Sequence, residues 1–597
     1  MLANAGGIKI PLIKKPVQHR VPRPYALKEF PNSRVAFELR RMLDLGIIEV
    51  TRFEAGQWVS PIFAIEKPDG SLRIILDLTE FNKLIPYQHF KMYNIHSATE
   101  LMTEGCYMAS IDLKDAYYTF PIRESDRKYL KFVWDGVVYQ YRVIPNGICC
   151  APFIFTKLLA PIFVVMHKEG HIAFPYIDDT WIVAKTKEAC ERAVVRLAEL
   201  FDMCGLVVHP LKSKVIPSTL AEFLGLNLDS VEMSVSLTDK KVLKFLRVSQ
   251  EILDAARPTI REVAGLIGMM NAYSLGVEYG GAHIKCLEID KNVYLARAKA
   301  WDATMVISES GRRDIEWWQN TVTQGRRKIR NKPPDMQVTA DASEMGWGAH
   351  LPTGVIGGRW RLADLCHINV LELKALLLAL ESLDPDFVRG RHIHLRTDNT
   401  TALNYIRKMG GVKSSMCNYW ARKIWRWAEK HGVWLTISHV PGKENTKADR
   451  ASRYFKDNLE WELNPKHFAK ACRIWGIPEW DLFASRRNAK CQKYCSWKPD
   501  PGASHVDAFT MDWTGANLYA FPPFSLVQRV LNKAREEPPR RLLLVTPTWP
   551  SRPWYVTVGQ MARAKITLGS KRNNLLPANP DRYATRIANT GVTISLI

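Results

Sequence analysis

Short β-like runs that end in carboxylates occur in two separate stretches of this chain, and a long helical stretch lies between them. One layered core does not accommodate that order. The first stretch holds β-like runs at residues 60–66 and 72–76, joined by Pro68-Asp69-Gly70, a strong turn signal. Further runs at 109–112 and 137–143 follow, and then Tyr176-Ile177-Asp178-Asp179. Apolar residues fall at three-four spacing over 33–45, before these runs, and again over 239–256 and 259–275, after them. Strands return at 337–340, 346–351 and 354–360, followed by a helix at 371–383, a strand at 392–396 and a helix from 400 to 408. A chain of 597 residues matches this reading, since three to five domains is the expectation at that length.

Composition narrows the class. Apolar residues make up 47% of the chain, enough for most of it to fold. The formal net charge is +23, which favours a polyanionic partner, nucleic acid first. Eleven cysteines are scattered without paired CxxC units, so neither a structural zinc site nor a disulfide framework is expected. The start of the chain lacks a signal-peptide layout, and no uninterrupted apolar run reaches membrane-spanning length. The expectation is an intracellular protein of the cytoplasm or nucleus, neither secreted nor membrane-bound. Residues 1–20 read as a basic flexible lead-in, 326–334 as a basic linker with a Pro-Pro pair, and 454–465 as a second break. The remainder, to Ile597, reads as mixed α/β with a loose tail.

Two acidic groups stand at strand ends in the first stretch, Asp112 in Ser110-Ile111-Asp112-Leu113 and the pair Asp178-Asp179. Nucleotidyl transfer uses two hard divalent cations, and carboxylates from neighbouring strands are the ligands such cations take. A Y-x-D-D match alone is roughly a 1-in-20 event in a chain this long, and Asp-Asp in a turn is an ordinary solvated feature. Its neighbours carry the weight. Residues 55–226 resemble the fingers and palm of retroelement reverse transcriptases. Lys67-Pro68-Asp69-Gly70-Ser71-Leu72-Arg73 is similar to the fingers hairpin, and the resemblance implies that Lys67 and Arg73 hold the triphosphate. It makes Asp112, Asp178 and Asp179 metal ligands and Tyr117 the aromatic that excludes a ribose 2′-hydroxyl. Arg142 to Phe155 resembles the template-and-nucleotide motif, with Asn146 where retroviral enzymes carry Gln. His209-Pro210-Leu211-Lys212-Ser213-Lys214 resembles the segment whose lysine protonates pyrophosphate, and leaves Lys212 and Lys214 both open. Phe223-Leu224-Gly225-Leu226 resembles the primer grip.

The second stretch presents Asp341, Glu372, Asp398 and Asp449 in order. Asp341 and Asp398 also read as strand-end turn residues, Asp398 as a cap for the helix from Thr400, and Asp449 as a solvated helix residue. Glu372 is harder to explain away, because a charge on an apolar helix is costly unless paired or metal-bound. Residues 335–456 resemble a ribonuclease H domain, whose carboxylate order these four match and whose mobile histidine is matched by His439. The resemblance implies Mg2+ or Mn2+, two ions per active site, and cleavage of the RNA strand of a hybrid.

The wording Leu395 to Ala402 and His439 to Asn445 is most similar to DIRS-like retrotransposons, which use a tyrosine recombinase. In that group a Dam-like adenine methyltransferase region often follows. Trp480-Asp481-Leu482-Phe483-Ala484 and Ala520-Phe521-Pro522-Pro523-Phe524 resemble it, but Phe521 and Phe524 replace the polar and tyrosine positions of an active enzyme. A folded remnant or binding module is expected there, with its tryptophans mainly in the core and some free to stack on bases. The expected fold is multidomain α/β and α+β. Fingers and palm occupy 21–232, a helical thumb and linker 233–334, a ribonuclease H-like domain 335–456 and a C-terminal α/β region 457–597. The expected function is RNA- and DNA-directed DNA synthesis with hybrid-specific RNA cleavage. Its partners are an RNA template, a DNA primer, RNA–DNA hybrid, deoxynucleoside triphosphates and a recombinase of the same element. The alternative is a catalytically silent, retroelement-derived nucleic-acid-binding protein.

Overall fold

Apolar residues that alternate along short runs form strands with one buried face, and those at helical spacing cover them. The protein is described from a computed structural model over residues 6–23, 32–66, 70–455, 461–570, 573–577 and 590–597. The multidomain, mixed α/β class expected from the sequence is what it has. The chain divides into two compact units. The first comprises residues 1–245, 275–278 and 321–331; the second takes 246–274, 279–320 and 332–597.

In the first unit the central sheet is antiparallel, with strands in the order Ile172–Tyr176, Asp179–Ala184, Tyr107–Asp112 and Lys214–Ser218. The helices Ala151–Lys168 and Lys187–Met203 pack on the sheet and on each other, through Phe155, Leu159 and Met166 and through Cys190, Leu197 and Phe201, with Phe163 meeting Phe201 edge to face. Among the described residues, Ala151–Lys168 is a helix long and apolar enough by composition to cross a membrane, which the search for uninterrupted apolar runs did not anticipate. Its apolarity has a core use here, since Phe155 meets Tyr117 and Phe120 edge to face. A two-stranded ribbon, Ile62–Glu66 with Leu72–Leu76, and a three-stranded sheet of Ile48–Thr51, Val137–Tyr141 and Lys131–Trp134 complete the front of the unit. The expected helix at 33–45 is Asn32–Asp44.

Three expectations change. Residues 8–18 of the basic lead-in are tied down: the Ile8 N–H donates to the Pro121 carbonyl, Ile10 is buried, and Gln18 exchanges two hydrogen bonds with the Val59 backbone. Alternate apolar residues in a basic context hid this. The linker at 326–334 opens as a strand, Arg326–Lys328, paired antiparallel with Ser234–Ser236 in a four-stranded sheet. Pairing overrides the weak local signal of Arg-Arg-Lys. The loose tail is also a strand: Val592–Leu596 lies antiparallel between Arg541–Pro547 and Ala564–Leu568. Four of its five residues are buried, so it shows no alternation to read.

In the second unit the helix Ile260–Tyr273 begins at a reciprocal capping box of Thr259 and Glu262. A five-stranded sheet follows, ordered Gly354–Arg359, Gly346–Leu351, Met336–Ala342, His392–Thr397 and Trp434–His439; the first three strands are antiparallel and the last two add in parallel. Helix Ile368–Glu381 is buried almost all round, and helix Thr446–Arg453 lies directly on the glycine-rich strands. A Cβ on Gly348 would stand 2.2 Å from the Ala448 carbonyl oxygen, so only glycine permits that approach. The C-terminal region is a seven-stranded sheet whose parallel core runs His505–Val506, Lys493–Ser496, Trp480–Asp481, Asn517–Ala520 and Arg541–Pro547.

Candidate functional sites

The hairpin Ile172–Tyr176 to Asp179–Ala184 closes through two residues, Ile177 and Asp178. Ile177 has φ +56, the left-handed value that the first position of a II′-type hairpin turn requires and that a β-branched residue rarely adopts. The turn holds because the Leu113 N–H donates to the Asp178 carbonyl at 2.8 Å and the Ile177 side chain packs on the core. Asp179 is paired directly across from Asp112 on the neighbouring strand, so both carboxylates leave the same face of the sheet. Burial and the charges of Asp112 and Asp178 push the Asp179 carboxyl up to about 7. Burial, opposed by Lys212, raises that of Asp112. The Asp112 Oδ1 is buried with no hydrogen-bond partner among the described residues, and the Lys212 ammonium stands 3.9 Å from it.

The other predicted residues of this site differ in what holds them. Tyr117, on the short helix Ala116–Thr119, packs edge-on against Phe155, and burial with the nearby Asp178 charge pushes its hydroxyl up to about 12. Lys214 is ion-paired with Glu222 at 3.1 Å. The Asn146 amide donates to the Tyr118 hydroxyl at 2.8 Å, so that nitrogen faces a protein partner. Arg73 is exposed on the strand Leu72–Leu76. Lys67 lies outside the described residues. Asn82, which no motif picks out, clasps the Pro145-Asn146-Gly147 turn: its amide donates to the Gly147 carbonyl and its oxygen accepts from the Cys149 N–H. Ser213 does the same for Asp112, whose N–H donates to its hydroxyl at 3.0 Å.

In the second unit, Asp341, Glu372 and Asp398 bring one carboxylate oxygen each within 4.8 Å of one another. Asp341 lies inside the strand Met336–Ala342 and is 4% exposed, which removes the turn-residue reading. Asn445 and Ser452, both unforeseen, donate to its two oxygens at 3.2 and 2.8 Å. Glu372 is buried on the helix Ile368–Glu381, and its Oε2 has no hydrogen-bond partner among the described residues. Burial, then Asp341 and Asp398, pushes its carboxyl up to about 9; Asp341 rises to about 6, chiefly through burial. Asp398 is not the cap of the next helix; the Asn399 side chain accepts from the Ala402 N–H instead. Asp449 stands outside the triad, on Thr446–Arg453, ion-paired with Arg453 at 2.7 Å. The exposed His439 donates through Nε2 to the Asp398 carbonyl at 3.1 Å.

Carboxylates gathered this closely, with buried oxygens lacking donors, fit divalent cations better than any protein partner present. Residues 65–228 match the family model of reverse transcriptase (RNA-dependent DNA polymerase). The chain carries a reverse transcriptase domain. An enzymatic polyprotein of Cassava vein mosaic virus is 22% identical over 458 residues, 73% of this chain and 67% of that protein. The Pro-Pol polyprotein of Simian foamy virus type 1 is 26% identical over 215 residues, 36% of this chain and 17% of that protein. The chain therefore matches only a minor part of the foamy virus relative. A solved foamy viral protease-reverse transcriptase in complex with dsDNA overlaps 73% of this chain at 18% identity, 88% of that chain, with a TM-score of 0.46.

Proposed function

We propose that the chain is an RNA-directed and DNA-directed DNA polymerase with a separate RNA–DNA hybrid ribonuclease H site, copying a retroelement RNA into DNA. One observation carries the reading: two carboxylate clusters, each with a buried oxygen that lacks a donor, occur in one chain that holds a reverse transcriptase domain. Asp112, Asp178 and Asp179 would hold two Mg2+ or Mn2+ ions, and Asp341, Glu372, Asp398 and Asp449 another pair. When bound, such ions supply Lewis-acid stabilisation of charge on phosphoryl oxygens.

The chain's own groups do the rest. Tyr117 excludes a ribose 2′-hydroxyl by bulk. We assign the proton given to leaving pyrophosphate to Lys212, a choice supported by its ammonium lying 3.9 Å from Asp112 and by the ion pair of Lys214 with Glu222. Arg73 and Lys67 offer positive charge to the triphosphate. Asn146 acts by positioning Tyr118. His439, exposed and with its ring on the Asp398 carbonyl, helps product leave. An intracellular site of action, a DIRS-like element and a recombinase partner belong to the same proposal, and rest on the composition and on Leu395 to Ala402 and His439 to Asn445.

The test separates the sites. Asp178→Asn is expected to abolish magnesium-dependent primer extension on RNA and DNA templates and spare RNA cleavage; Asp398→Asn is expected to do the reverse. Loss of both activities in either variant overturns the two-site reading. Primer-template binding without incorporation at any divalent metal supports the silent binding protein instead.

A further inference from the structure

Residues 461–597 contain 20 Lys and Arg against 9 Asp and Glu, an excess of 11 within a chain total of 23. That is a small part of the chain with nearly half its net charge, and neither carboxylate cluster uses it. Five strands of its sheet run parallel, so their carboxyl ends share one edge. The strand order reverses between Trp480–Asp481 and Asn517–Ala520, and ligands of open α/β sheets bind outside the carboxyl ends at such a reversal.

Aromatic side chains follow the strands at that edge. Phe483 comes after the strand Trp480–Asp481, Trp497 after Lys493–Ser496, Phe509 after His505–Val506, Phe521 and Phe524 after Asn517–Ala520, and Trp549 after Arg541–Pro547. Cations accompany them. Arg529 lies 3.8 Å over the Phe509 ring, Arg552 5.9 Å over Trp549 and Lys498 4.8 Å over Trp497. Trp497 is 81% exposed, where a tryptophan that served the core would be covered. Asp507 takes a left-handed φ of +63 and accepts from the Phe509 N–H, which fixes that ring at the edge.

A dinucleotide is a poor fit. Its phosphates need a glycine-rich turn and its ribose an outward acid. Here the turn after the strand Trp480–Asp481 is Leu482-Phe483-Ala484, and the buried Asp481 carboxylate is occupied by the Phe483 and Lys490 N–H groups. The rings gather in contact, Phe483 with Phe509 at 5.7 Å and Phe524 with Phe521 and Trp549 at 6.2 and 5.1 Å, while Trp497 stands exposed. An aromatic edge with cations beside it suits unpaired bases on a polyanionic strand. We infer that the carboxyl edge of the C-terminal sheet binds single-stranded DNA. The choice of DNA rests on the proposed hybrid nuclease, which removes RNA in the same unit and leaves its DNA partner unpaired.

The test uses the full chain in EDTA, with excess unlabelled primer-template duplex occupying the polymerase domain and a fluorescent oligothymidylate of about 20 nucleotides as probe. Saturable binding is expected by anisotropy. Trp497→Ala combined with Trp549→Ala is expected to weaken it roughly tenfold, and Arg529→Glu to reduce the salt slope by about one. Unchanged circular dichroism and thermal unfolding of the full chain in each variant verify folding. Trp497→Ala alone, at an exposed position, gives a second reading through loss of photocrosslinks from 5-iodouracil in the probe. Unchanged affinity and crosslinking in these variants overturn the inference, and so does tighter binding of oligouridylate than of oligothymidylate. Because no divalent metal is present, failure here is distinct from failure of the nuclease reading, which Asp398→Asn tests.

Discussion

Asp179, Asp341 and Glu372 keep their protons to about 7, 6 and 9, chiefly because they are buried beside other carboxylates. An unfolded chain releases such protons near pH 4. The folded state therefore binds more protons than the unfolded state between roughly pH 4 and 9, so stability falls as pH rises through that window. A divalent cation offsets the loss by neutralising the ionised cluster. The melting temperature of metal-free protein is expected to drop between about pH 5 and 8. Mg2+ or Mn2+ is expected to raise it more at the upper end, and Glu372→Gln to flatten the metal-free slope. Calorimetry across pH checks this, and an unaltered slope in Glu372→Gln contradicts it. Gly147 carries a different constraint. Its φ is +112, and a Cβ there would stand 2.3 Å from the Leu76 carbonyl oxygen. Gly147→Ala is expected to cost about 2–4 kcal/mol in urea unfolding and to lower primer extension through the displaced Asn146 turn.

Elements are held to one another by polar pairs that no local pattern announces. Helix Glu309–Val322 meets helix Ser415–His431 through Asp314 and Arg422, an ion pair with side chains 1% and 9% exposed. Arg422 also donates to the Ala282 carbonyl, and Asp314 accepts from the Cys286 N–H. Removing the acid strands a buried guanidinium. Asp314→Ala is expected to destabilise by about 3–5 kcal/mol, read from urea unfolding; a loss under about 1 kcal/mol would mean that water reaches the site. This pair shows where sequence reading stops. Strand-end carboxylates and the apolar helix around Glu372 are legible because periodicity and local charge mark them. Asn82, Asn445 and Ser452 are not, since each acts through a partner more than sixty residues away and its type is unremarkable. Arg326–Lys328 and Val592–Leu596 become strands only because a distant partner strand accepts them, so composition pointed to linker and tail.

At the scale of the molecule, the C-terminal region is joined to the segment that leads into the Glu372 helix. Arg486 approaches Asp364 at 3.6 Å, with both side chains under 20% exposed. The Asp364 carbonyl accepts from the Lys374 ammonium at 2.5 Å, and Lys374 lies on helix Ile368–Glu381 two residues beyond Glu372. On the far side, the Arg486 N–H donates to Asp500, whose same oxygen accepts from the Tyr494 hydroxyl, so Arg486 is itself fixed by its own sheet. A chain of contacts thus runs from the Lys493–Ser496 strand to the helix that presents Glu372. If that chain sets the angle of the helix, Arg486→Glu should slow RNA cleavage roughly fivefold, about 1 kcal/mol of barrier. KM for the hybrid and the rate of primer extension should not change. Arg486→Lys keeps a cation beside Asp364, which also pairs with Arg361, and should retain most of the cleavage rate. An equal fall in primer extension would indicate general destabilisation. A fall in Arg486→Lys as large as in Arg486→Glu would mean that the ion pair does not transmit position to Glu372.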